Sequence, residues 1–153
     1  RRLIVKEKCL KGVAISAIVC MTIFCIIGAA ENHETKIVKN LLKKRAFVME
    51  NVLSGRITYE AGKERLSEIE SKHLYEKDIN VIQNCYTADD RRLHNIEILF
   101  LEKTSEMYDE KYFSGRINNI YSDKENLYTE SSEYTVGVTD WNEEPKLIFL
   151  KQQ

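Results

Sequence analysis

HNIEILFLEK, residues 94–103, is where the apolar residues change their spacing. Before the turn cluster Ala88-Asp89-Asp90 they recur at three and four; from His94 onward they alternate. A period of two is the mark of a strand. Ile96, Ile98 and Phe100 fall on one face and Leu99 and Leu101 on the other, which predicts a central strand covered on both sides. The chain thus reads as α+β, with helices first and an antiparallel sheet second.

Toward the C-terminus the alternation persists. KYFSGRINNIY (111–121) sets Phe113, Ile117 and Tyr121 on one face, with Gly115 in a register that predicts a bulge or bend. The polar run 122–126 reads as a hairpin loop. LYTESSEYTVGVT (127–139) alternates through Tyr134, Val136 and Val138; after the loop 140–145, KLIFLK (146–151) closes a four-stranded meander.

Toward the N-terminus the period is helical. In 34–54, Ile37, Leu41, Val48 and Val52 form one row and Val38, Leu42, Met49 and Leu53 the next, ahead of Gly55 as C-cap. Lys39, Lys43, Lys44 and Arg45 are assigned to the opposite side and read as a solvated face, with lipid headgroups as the alternative contact. Residues 58–72 form a second helix capped by Thr58, with Ala61, the stem of Arg65, Leu66 and Ile69 as a thin apolar edge. The stretch 74–86 fits both periods and is taken as a third short helix. Two or three helices therefore precede the sheet.

Ahead of the helices, GVAISAIVCMTIFCIIGAA (12–30) carries no charge. As a helix it reaches roughly 28 Å, enough to cross a bilayer. The stub 1–11 holds five of the 23 basic residues and one of the 24 acids, so the remainder carries a net charge near −5. Basic flanks stay in the cytoplasm. The expected layout is a cytoplasmic stub (1–11), a transmembrane helix (12–30) and an extracytoplasmic domain (31–153) in a single-pass protein of the cell membrane. Cleavage after Ala30, giving a secreted protein, is the rival reading. Gly12, Ser16 and Cys20 recur every four residues as a small-residue face suited to helix association. Cys85 is the one cysteine beyond the span, so no disulfide can form within the domain; it reads as a small buried hydrophobe.

ITYEAGKERLSEIE (57–70) before the strands and EYTVGVTDWNEEPKLIFLK (133–151) at the end give a layout that resembles bacterial membrane-anchored NTF2-like domains, including the ectodomains of VirB8-type conjugation proteins and small proteins of Gram-positive bacteria. The resemblance covers 34–151 and is one of architecture, NTF2-like or cystatin-like, without signature residues. It implies helices in the concavity of a curved sheet, forming a cone that some members use as an active site and many use only to hold partners. No functional residue carries over.

The chain has no Cys-x-x-Cys, HExxH, P-loop, GxGxxG or G-x-S-x-G pattern, and no catalytic, metal or cofactor residue is assigned. Asp89-Asp90-Arg91-Arg92 reads as a turn, with an anion grip as the alternative. Asp109, Glu110, His94 and Cys85 could meet near a cone mouth as an acid–base or thiol–imidazole set, although nothing in their spacing requires it. Trp141 and Tyr134 are the candidate partner-binding residues, although Trp141 reads first as a lid on the core. An acidic domain is a poor nucleic-acid binder. The function expected is a non-enzymatic interaction or assembly module, anchored in lipid, binding a protein partner or itself. The alternative is a small-ligand or enzymatic cone.

Overall fold

The computed structural model describes residues 32–84, 92–123 and 126–153. The stub, the span 12–30 with Gly12, Ser16 and Cys20, and the stretch 85–91 with Cys85 lie outside them. Among the described residues no helix is long and apolar enough to cross a membrane.

Three helices pack on a four-stranded antiparallel sheet. The apolar rows of the first helix, α1 (His33–Leu53), place Val38, Leu42 and Val48 in the core. It ends where Gly55 takes a φ of +71°, a left-handed turn that favours glycine. Arg56 N–H donates to Asn51 O at 2.8 Å and Gly55 N–H to Val52 O at 2.9 Å, closing the last turn. At the other end Lys111 Nζ donates to Glu34 Oε1 at 2.6 Å and Lys103 Nζ stands 3.3 Å from Glu34 Oε2. The Lys111 hydrogen bond holds the Glu34 carboxyl below its usual range.

Helix α2 (Tyr59–Ile69) begins as expected, Thr58 Oγ1 accepting from Ala61 N–H. It passes α1 closely at Gly62, where a Cβ would run into Val52 Cγ2. Gly62, Leu66 and Ile69 are its buried residues, Ala61 is half-buried and Arg65 is exposed. The helix expected over 58–72 stops at Glu70, because Glu70 pairs with Leu147 and Ser71 N–H donates to Leu147 O at 2.9 Å. Lys72, at φ +55°, then opens α3 (Lys72–Asn84), the third helix.

The strands β1 (Arg92–Met107), β2 (Glu110–Ser122), β3 (Leu127–Thr139) and β4 (Lys146–Gln152) lie in sequence order. β1 is therefore an edge strand, not a central one. Its pairing with β2 slips at His94, Leu99 and Thr104, five residues apart. Each slip is a bulge that bends the strand and increases its twist. The bulge at Leu99 reverses the expected faces. Ile96, Ile98 and Leu101 point to the core, whereas Phe100 pairs with Arg116 on the outer face and is 41 % exposed. Gly115 marks this irregularity from the neighbouring strand. A Cβ there would stand 2.5 Å from Phe100 O and 2.9 Å from Leu101 Cδ1.

On β2 and β3 the faces are as read: Phe113, Ile117, Val136 and Val138 are buried against the helices with Leu147 of β4. Trp141 closes this end of the core. Its ring lies 6.1 Å from that of Phe113, and Lys111 Nζ stands 4.6 Å from it.

Gly115→Ala should therefore destabilise the fold by roughly 1–3 kcal/mol in urea unfolding, because the new methyl meets backbone that cannot step aside. A neutral result would mean the Leu99 bulge is not held as described.

Candidate functional site

α1 packs on the face of the sheet that carries Ile96 and Ile117. Val38 is fully buried there. Toward the helix C-terminus the packing leaves a cavity of about 260 Å³. Leu42, Arg45, Ala46, Met49, Glu50 and Leu53 line it from α1; Leu93, Ile96, Ile117, Asn119, Tyr121, Tyr134 and Leu150 line it from the sheet. The wall is apolar with a few polar groups, the composition of a small-molecule site. Glu50 Oε2 accepts from Leu93 N–H at 3.1 Å, while Glu50 Oε1 is buried without a hydrogen-bond partner among the described residues. Tyr121 stacks on Tyr128 at 5.7 Å.

Behind this wall lies a dense cluster of buried charge. Arg45 Nε stands 2.8 Å from Glu70 Oε1, and Arg45 Nη2 contacts Asp78 Oδ2. The two acids are essentially sealed, with side-chain exposures of 0 % and 2 %, and Arg45 keeps 19 %. One cation thus serves two carboxyls, and burial penalises any uncompensated charge. Burial pushes the Glu70 carboxyl up to about 8, helped by hydrogen bonding to Asp78 and its charge and opposed by Arg45. At neutral pH Glu70 therefore keeps its proton and can donate to Asp78, which leaves the cluster near neutrality.

The solvated position expected of Arg45 is thus corrected. At 100° per residue it lies between the rows of Leu41 and Leu42 before it and Val48 and Met49 after it. That spacing is the available signal for a buried guanidinium. Asp78 carries the same signal, standing four residues from Leu74 and four from Ile82, both of which are buried. Glu70 has no such cue, since it belongs to the break between α2 and α3.

The sequence candidates fall in different places. Tyr134 is half-buried in the cavity wall. Trp141 is half-buried on Phe113, well placed as a lid. His94 is exposed at the start of β1 and Asp109 is exposed at the far hairpin, so β1 holds them apart. Arg92 is the described member of the 89–92 charge run and begins β1. Among the described residues no three His, Cys, Asp or Glu side chains are grouped to hold a metal.

No known family model matches this chain, and no curated protein resembles it closely enough to count as a relative.

The raised Glu70 carboxyl makes stability depend on pH in a definite direction. Below about pH 4.5 folded and unfolded chains both hold the proton; from there to about pH 8 only the folded chain does. Wild-type stability should fall across that window relative to Glu70→Gln, by up to about 1.4 kcal/mol per pH unit, and level off above it. Urea unfolding of both proteins across this range reads the difference directly. A difference that stays flat would contradict the assignment.

Proposed function

We propose that this chain is a membrane-anchored assembly module that holds a protein surface outside the cytoplasm and is not an enzyme. The observation that carries the reading is the outer face of the sheet, which none of the described helices covers. The helices pack on the side of Ile96, Ile117 and Val136. The other side exposes Phe100, Leu127 and Phe149, with the bulged Leu99 beside them and Met107 and Tyr108 at the hairpin tip. These side chains are spread along the face, Leu127 opposite Ser122 at one end of β3 and Phe149 opposite Gly137 toward the other, and large apolar side chains exposed on an open sheet face are candidates for an interaction surface. Arg116 stands 5.8 Å over the Phe100 ring and pairs with Glu133, so the surface around Phe100 carries its own polar partners. The bulged meander packed against α1 supports an NTF2-like reading of the fold, and the uncharged span 12–30 supports anchoring.

A second copy of the chain is the partner to test first. Anchoring confines copies to a plane and raises their effective concentration, and the Gly12, Ser16 and Cys20 face suits pairing within the bilayer.

A second reading rests on the cavity beside Tyr134: a binder of a small, largely apolar molecule. At about 260 Å³ the space falls below the usual range of ligand pockets, roughly 300–1,000 Å³, and the reading ranks second for that reason. If it holds, a small apolar probe should raise the melting temperature of the wild type and not of Ala46→Phe, in which the new ring occupies the space. Equal shifts in both proteins would dismiss the cavity.

The assembly reading is tested by photo-cross-linking in membranes that carry the full chain. A benzophenone amino acid replacing Phe100 should yield a discrete adduct of two chains, and the same group replacing exposed Lys63 on α2 should not. An adduct of one discrete mass with another protein would keep the module and change its partner. No discrete product at Phe100 would remove the reading.

A further inference from the structure

With Arg45 turned inward, the outward face of α1 becomes uniform. Lys36, Asn40, Lys43 and Phe47 run along its centre, three and four residues apart, flanked by Lys39 and Lys44. The two acids of the helix are elsewhere: Glu34 is held by Lys111 and Lys103, and Glu50 accepts from Leu93 N–H. Phe47, 44 % exposed, stands at the C-terminal end of this row. Beside it a groove of about 530 Å³ runs between α1 and α2, with Lys43, Lys44, Phe47 and Arg65 on its walls and Glu68 as its one acid. The ion pairs of the described residues use Arg45, Lys72, Lys103, Lys111 and Arg116 and leave Lys36, Lys43, Lys44 and Arg65 out.

We propose that this face of α1 lies on the surface of an anionic bilayer, its lysines on lipid phosphates and Phe47 among the headgroups. A basic helix face bearing an exposed aromatic is the chemistry of interfacial helices. The occupant follows from two further facts. The uncharged stretch ends at Ala30, three residues before His33 opens α1, so on the anchored reading the face begins beside the headgroups. A free polyanion such as nucleic acid would meet a domain of net charge near −5, which repels it at a distance; a tethered helix meets phosphates at high local concentration. Four lysines are too few to hold a protein on a membrane alone. Here they need only orient one already held, and the interaction weakens with salt because exposed charges are screened.

The inference rests on the anchored reading, and one experiment separates the two. The full chain is reconstituted into vesicles of brominated phosphatidylcholine, with or without phosphatidylglycerol. Phe47→Trp is compared with the wild type, whose single tryptophan, Trp141, supplies the background. Flotation reports anchoring, and quenching of the introduced indole reports contact of the face. The expected result is flotation in both lipids, with the added emission of Phe47→Trp lost only in the anionic vesicles. High salt, or Gln at Lys36, Lys39, Lys43 and Lys44, should restore that emission. A chain that floats with the introduced indole unquenched overturns this inference and leaves the anchor standing. A chain that fails to float overturns both.

Discussion

Arg45 presents one guanidinium to two sealed carboxyls, and each of the three partners belongs to a different part of the helical layer. Arg45 comes from α1, Glu70 from the break after α2 and Asp78 from α3. The rotation of α1 about its axis is tied to this contact. With Arg45 inward, Val38, Leu42 and Val48 face the sheet and the lysines face out. With Arg45 outward, two carboxyls would remain in the core with one shared proton and no cation, which costs several kcal/mol. The proton on Glu70 is part of the same balance, since a second full charge would have no partner.

The sheet meets this layer through its irregularities. Bulges at His94, Leu99 and Thr104 bend β1, and one at Ile148 bends β4. Gly115 leaves space for the Phe100 carbonyl where the bend is closest. A curved sheet can wrap a helix where a flat one would only touch it. The cavity beside Tyr134 is the space left between α1 and the sheet.

Much of this is legible in the chain. The change of period near residue 94, the glycine after α1, the Thr58 cap and the inward rows of β2 and β3 are local features, and they appear where local rules put them. What is not legible is set by tertiary contact. A bulge shifts register by one and so reverses every face beyond it, which is why simple alternation groups Phe100 with Ile96 and Ile98. The edge position of β1 cannot be read from its apolar content, since Leu99 and Phe100 are exposed. Charge alone points Arg45 to solvent, whereas its spacing sets it in the apolar stripe, and the spacing prevails because two acids wait there. Glu70 meets Leu147 across most of the domain's sequence, beyond the reach of any local window.

Replacing Arg45 is the most direct measurement of the central claim. Arg45→Met in urea unfolding at neutral pH should cost roughly 3–5 kcal/mol, because it strands two buried carboxyls. The triple variant Arg45→Met, Glu70→Met, Asp78→Leu removes all three charges together and should recover most of that loss. A single Arg45→Met change that unfolds within about 0.5 kcal/mol of the wild type, the range of an ordinary surface substitution, would contradict the account.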